Sequence, residues 1–236
     1  MRLTQLRQFL SELRDMGFVS SERMGPTGIG HTLEKWLNIS ENNLPIPDIG
    51  GRTEIKATRN TTNNLITLFT FNRAAWKVHQ AEVVKRWGYF DAVRNRQALY
   101  STVSALAANP QGLQAYLPDD SEMVCVIDSK TNEVVASWDL FNIVGKFMSK
   151  FERLLLVHAD VRQREGREEF HFNQAHLLTE PNSKQFRDSF MKGKALIDIR
   201  MHLKPSGASR NHGTGFRVYE KDLPNLFGSR IDLMSP

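Results

Sequence analysis

The segment PDIGGRTEIKATR, Pro47 to Arg59, sets Asp48 ahead of a glycine pair and Glu54 two residues ahead of Lys56. Side chains two apart on a strand share a face, so Glu54 and Lys56 project together while Ile55 turns to the core. A hairpin through Gly50 and Gly51 brings Asp48 back beside them. Asp48 and Glu54, with the Ile55 carbonyl as a further oxygen donor, make a ligand set suited to Mg2+, which takes oxygen ligands and keeps several waters. Lys56 is then placed to polarise a water or to hold a phosphate. Hydrolysis of a phosphodiester needs these parts: a cation against the developing charge, an activated water, and a phosphate held in line. The short motif is weak alone, because an acid two residues before a lysine arises about once by chance at this composition. Asp119, Asp128 and Lys130 offer a comparable order, but Asp128 and Lys130 fall in the turn signal DSKTN, where no strand face aligns them.

Other chemistries fare worse. GPTGIG has the glycines of a phosphate cradle but no Lys-Ser/Thr after it and no apolar strand before it. His171 and His176 stand five apart on an expected strand and so point to opposite faces, which disfavours a zinc pair. Cys125 lies in an alternating apolar stretch and reads as a packed core residue. No serine elbow or Cys/His pair offers a nucleophile.

The elements that must position these residues follow from periodicity. Leu3, Leu6, Phe9, Leu10, Leu13 and Met16 trace one helical face. GPTGIG reads as a connector, and HTLEKWLNI as a second helix with Leu33, Trp36 and Leu37 as its stripe and Glu34 off it. Three short strands are expected between Leu44 and Phe71, and helices over Trp76 to Trp87 and Arg96 to Ala108. MVCVIDSKTNEVVAS predicts a hairpin turning at Asp128 to Asn132. RLLLVHA predicts a strand buried on both faces. EFHFNQAHLL and ALIDIRMHL alternate, the second with Ala195, Ile197, Ile199, Met201 and Leu203 on one face and Asp198, Arg200 and His202 on the other. KPSGASRNHGTG, Lys204 to Gly215, reads as a basic small-residue loop. Strands and helices interspersed along the chain predict an α/β fold with a mixed central sheet.

The 236 residues carry a formal charge of +5 and a pI near 9.4, with 19 arginines and 12 lysines. That balance marks a candidate polyanion binder, and arginine is the side chain that grips phosphates and guanine edges bidentately. One cysteine excludes an intramolecular disulfide and fits a reducing compartment. The charged amino terminus lacks the apolar stretch of a signal peptide, and no 18-residue apolar run occurs, so a cytoplasmic protein with one domain over residues 1–236 is expected.

The ordered segments GIGHTLEKWL, NNLPIPDIGGRTEIKATRN, NLITLFT, SWDL, FHFNQAHLLTE and NHGTGFRV resemble the MvaI/BcnI family of type II restriction endonucleases, relatives of the mismatch-repair nicking enzyme MutH. The resemblance implies a PD-(D/E)XK restriction-endonuclease-like fold, a mixed β-sheet flanked by helices in two lobes around a DNA cleft. It implies Mg2+-dependent cutting of double-stranded DNA by a monomer that nicks the strands in turn, at a C/G-flanked site such as CCWGG or CCSGG. Asp48, Glu54 and Lys56 match the catalytic positions, with Asp48, Glu54 and Ile55 as the metal ligands and Glu34 as an acidic residue presented by the preceding helix. The catalytic lobe would centre on residues 29–90, and bases would be read by loops near 70–77 and 204–217. Arg59, Thr70, Arg73, Arg210, His212 and Arg217 are the expected DNA contacts. A companion DNA methyltransferase would belong to the same system. Five residues separate Asp48 from Glu54, one more than in those relatives. Two alternatives stay open: a MutH-like repair nickase, and a DNA-binding module with an inert triad.

Overall fold

The periodic stripes of the sequence decide which elements form, and a computed structural model of the protein describes them for residues 2–39, 47–60, 64–72, 74–118 and 122–234. In chain order they are α1 (Leu3–Asp15), β1 (Val19–Ser20), α2 (Gly28–Trp36), β2 (Thr53–Arg59), β3 (Leu65–Phe71), β4 (Ala75–Trp76), α3 (Gln80–Trp87), β5 (Tyr89–Asp91) and β6 (Arg96–Val103). There follow β7 (Leu113–Tyr116), β8 (Met123–Asp128), β9 (Val134–Asp139), α4 (Leu140–Lys150), β10 (Arg153–Arg164), β11 (Arg167–Pro181), α5 (Ser183–Met191), β12 (Ala195–Leu203), β13 (Ser209–Asn211), β14 (Thr214–Tyr219) and β15 (Phe227–Asp232). None of the described helices is long and apolar enough to cross a membrane.

Two compact units result. The first comprises Met1–Asn64, Met148–Asn182 and Pro224–Pro236. Its sheet runs β1-β11-β10-β2, with β15 also on β11. It is mixed: β10 pairs β2 in parallel and β11 antiparallel. Leu154 to Val157 on β10 are fully buried, as expected of a strand covered on both faces. Leu6, Leu10 and Leu13 of α1 and Ile29, Leu33 and Leu37 of α2 pack with Ile55, Leu155 and Val157 into one apolar core. The α2 stripe thus steps by four residues and leaves Trp36 exposed, a correction to the stripe expected from the sequence. Gly28 and Gly30, expected in a connector, lie inside this helix.

The second unit comprises Leu65–Phe147 and Ser183–Leu223. One of its sheets runs β3-β14-β12-β6-β5 with β13 on β12, and another runs β4-β9-β8-β7. Phe69, Trp138, Phe147, Phe186, Phe190 and Phe216 interlock as stacked and edge-on rings, the arrangement that aromatic quadrupoles favour. The β8–β9 hairpin turns where expected, with Asp128 Oδ1 accepting from the N–H groups of Lys130 and Thr131. The helix expected over Arg96 to Ala108 is instead β6: Leu99, Ser101 and Val103 are buried while Tyr100 and Thr102 face the other way, so pairing with β12 overrides helix propensity. In the expected 204–215 loop, Ser209–Asn211 forms β13 on β12. The segment 40–46, part of the expected strand cluster, lies outside the described residues, as do Arg73 and Asp119.

Candidate active site

The site in the first unit is built by a turn. Gly50 and Gly51 have φ of 58° and 68°, a region that favours glycine, and they let the chain reverse. Ile49 and Thr53 then exchange hydrogen bonds, N–H to O, of 2.9 and 3.2 Å. Thr53 therefore directs its backbone groups to the edge of β2 away from β10, and Ile55, two residues on, directs its own to the same edge. The Ile55 N–H donates to Asp48 Oδ2 at 2.8 Å, so its carbonyl shares that edge with the Asp48 carboxylate.

Ile55 points into the α1–α2 core, and this forces Glu54 and Lys56 to the opposite face. The Glu54 side chain is only 4% exposed, and its Oε1 receives Lys56 Nζ at 2.5 Å and Lys150 Nζ at 3.1 Å. Lys150 comes from the last turn of α4 and no sequence motif announced it. A buried carboxylate loses its hydration, and paired cations that donate hydrogen bonds offset that cost. Burial first, and the neighbouring Glu54 carboxylate second, push the Asp48 pKa above the usual carboxylate value, against the pull of the Ile55 N–H, Lys56 and Lys150. The two carboxylates repel each other, and a bound cation would relieve that repulsion. Among the described residues no group of three or more His, Cys, Asp and Glu side chains converges.

Glu34 is half-buried on α2, the helix whose apolar stripe packs on the Ile55 face of β2. Arg59, at the end of β2, is engaged within the protein: Nε and Nη2 donate to Glu168 at 3.2 and 2.7 Å, and its guanidinium lies 5.4 Å from the centre of the Phe170 ring.

Of the other expected contacts, Thr70, Arg210, His212 and Arg217 lie in the second unit. On β12, Asp198, Arg200 and His202 face away from the aromatic core. Beside them stand Thr70 of β3, Arg217 of β14, and Tyr100 and Thr102 of β6. Asp198 organises this face: Oδ1 accepts from Thr102 Oγ1 at 3.1 Å, and Oδ2 lies 3.4 Å from Arg217 Nη1 and 3.9 Å from Arg200 Nε. Arg217 Nη2 also donates to the Leu65 carbonyl at 2.8 Å, and Arg200 Nη2 reaches Thr70 Oγ1 at 3.3 Å. The Nε atoms of both arginines are buried with no hydrogen-bond partner. Arg210 is exposed on β13 opposite His202, and His212 sits exposed at the turn into β14. Arg200, Asp198 and His202 were legible as a polar strand face, but only the sheet order shows that they border Thr70 and Arg217.

The family model of the MvaI/BcnI restriction endonucleases matches residues 7–227. The chain belongs to that family. Among solved structures, a restriction endonuclease MvaI–cognate DNA substrate complex is similar with a TM-score of 0.80 at 23% identity, covering 98% of each chain. Restriction endonuclease MvaI in the absence of DNA is similar with a TM-score of 0.58 at 22% identity, covering 98% of this chain and 97% of that one. A comparison with curated protein sequences gives no match. The enzyme is a site-specific deoxyribonuclease with a mixed α/β fold of the PD-(D/E)XK type.

Proposed function

We propose that this restriction endonuclease hydrolyses phosphodiester bonds of double-stranded DNA in a Mg2+-dependent reaction at a short C/G-flanked site, CCWGG or CCSGG, nicking the two strands in turn as a monomer. The observation that carries the chemistry is the convergence of Asp48, Glu54 and two lysines on the free edge and outer face of β2. The donors fit the metal, because carboxylate and carbonyl oxygens are the hard ligands that Mg2+ takes. Asp48, Glu54 and the Ile55 carbonyl would hold it. When bound, a divalent cation supplies Lewis-acid neutralisation of the charge that builds up on the phosphate.

The chain's own residues do the rest. Asp48 is oriented by the Ile55 N–H, and Glu54 is held by Lys56 and Lys150, so both carboxylates are set in position before DNA arrives. Lys56, a quarter exposed, keeps ammonium protons beyond the one given to Glu54, and these can hold the scissile phosphate or stabilise the attacking water as it loses a proton. Glu34 is assigned as an auxiliary acid on the family resemblance. On the second unit, Thr70, Arg210, His212 and Arg217 supply the groove contacts, and Arg59 and Arg73 are assigned to the DNA backbone because they follow the strands of the site in sequence. Charged contacts to phosphates give sequence-blind, salt-sensitive affinity, while forks on base edges give discrimination of roughly 1–3 kcal/mol each. A companion methyltransferase protects the host site in this reading.

Glu54→Ala and Lys56→Ala test the proposal. Each is expected to abolish Mg2+-dependent cutting while leaving a sequence-specific gel shift in Ca2+; cutting that survives either substitution refutes the assignment.

A further inference from the structure

His202 and His212 form a pair that the chemistry above does not use. His202, on β12, is 8% exposed, and its Nδ1 lies 3.0 Å from Nε2 of His212 at the β13–β14 turn. The rings stand 5.0 Å apart at 29°, and the Tyr100 ring lies 6.1 Å from His212. The turn itself is tightly set. The His212 N–H donates to the Arg200 carbonyl, and Gly213, with φ of 90°, donates its N–H to Asn211 Oδ1. A Cβ at Gly213 would come within 2.4 Å of Thr70 Cγ2 and 2.2 Å of Asn72 Oδ1, so the backbone next to His212 is wedged against β3.

We propose that His202 is a positioning residue for DNA reading: it holds the His212 imidazole by one shared proton and thereby sets which way that ring faces and whether its other nitrogen donates or accepts. The inference rests on the DNA-reading role proposed above for His212. The proton logic is strict. An N···N hydrogen bond needs one protonated and one bare nitrogen. If His212 Nε2 carries the proton, a neutral His212 has a bare Nδ1 that accepts from a base edge. If His202 Nδ1 carries it, a neutral His212 has an Nδ1–H that donates.

The surroundings disfavour the charged form of either ring of the pair. The charged groups facing it are cationic: Arg96 from β6, Arg200 and Lys204 from β12 and the turn after it, and Arg210 from β13. Burial first, then Arg96 for His202 and Arg210 for His212, hold both imidazoles below the ordinary histidine pKa. Adding one proton to the pair leaves both outer nitrogens as donors and removes the acceptor state.

The test uses the full-length protein, 15N-labelled at histidine, with and without His202→Leu, His202→Asn and His212→Ala, each checked for a wild-type circular dichroism spectrum. In DNA-free wild type the pair should show a coupling between His212 Nε2 and His202 Nδ1, and His212 should occupy one tautomer. Both signatures should vanish in His202→Leu. Cleavage of duplexes carrying CCAGG or CCCGG, and of their single-pair variants, gives the discrimination ratio. That ratio should fall about 5- to 100-fold in His212→Ala and nearly as far in His202→Leu, with recovery in His202→Asn, whose amide oxygen can accept at the Nδ1 position. A ratio that falls in His212→Ala but holds in His202→Leu overturns the positioning role, as does an uncoupled pair in wild type. Absence of any cutting by wild type overturns the nuclease reading and the base-reading role with it, while the nitrogen spectra still report on the pair.

Discussion

Replacing Asp48 by asparagine should make the metal-free enzyme more stable and the enzyme inactive. In Asp48→Asn the side-chain carbonyl can still accept from the Ile55 N–H, as Asp48 Oδ2 does at 2.8 Å, so the turn keeps its tether. What is lost is a half-buried charge beside Glu54, the two causes that raise the Asp48 pKa. A group whose folded pKa is raised contributes stability that is present below its unfolded value of 3.8 and lost as pH rises through the folded value. Above the raised folded value wild type has lost that contribution, and the variant has no such group to ionise. The gain is about 1 kcal/mol, or about 2–4 °C in Tm for a chain of this size. The gap should narrow as pH falls through the raised Asp48 range. Mg2+ reverses the order, because a ligand at about 100 times its Kd adds about 2.7 kcal/mol to wild type and should add little to the variant. Thermal melts in EDTA and in Mg2+ at several pH values check each part. A variant less stable than wild type in EDTA, or one that keeps the full Mg2+ response, would refute the reasoning.

Three further outcomes are expected. Lys150→Met leaves the buried Glu54 carboxylate with Lys56 alone, which should cost about 1–3 kcal/mol in urea unfolding and lower the cleavage rate by at least about tenfold; an unchanged rate would remove Lys150 from the site. Arg217→Lys keeps the charge but loses the fork that spans Asp198 and the Leu65 carbonyl, so site discrimination should fall by about 1–3 kcal/mol while unfolding changes less. Arg59→Ala and Glu168→Gln break one shared, partly buried pair and should each destabilise by about 1–2 kcal/mol, with the double variant far from additive; additive losses would deny the coupling.

The candidate active strand was readable because its signal is local. Period two fixes the shared face of Glu54 and Lys56, and a Gly-Gly turn returns Asp48 to the strand edge, all within one short segment. Lys150 was not readable, since a lysine at the end of an amphipathic helix carries no mark of the carboxylate it will meet. The same limit applies to β6: Arg-Gln-Ala-Leu favours a helix locally, and only the partner strand β12 makes the alternation of Leu99, Ser101 and Val103 decisive. Trp36 shows a subtler limit. Leu33, Trp36 and Leu37 all fit a helical stripe, and the choice of Ile29, Leu33 and Leu37 depends on where β2 and α1 stand. Arg59 reads as a free cation in the sequence, yet the β11 residue Glu168 claims it. The polar face of β12 was visible as alternation, but its role as the meeting place of Thr70, Arg200 and Arg217 emerges only from the order β3-β14-β12-β6.

The most direct test of the central claim is to incubate the purified enzyme with unmethylated supercoiled plasmid in Mg2+ and in EDTA, and to resolve the products on a gel. Discrete fragments that require Mg2+, preceded in time by open circles, with ends mapping to a CCWGG or CCSGG site, are the predicted result. Untouched plasmid in Mg2+, or fragments that form equally in EDTA, would contradict it.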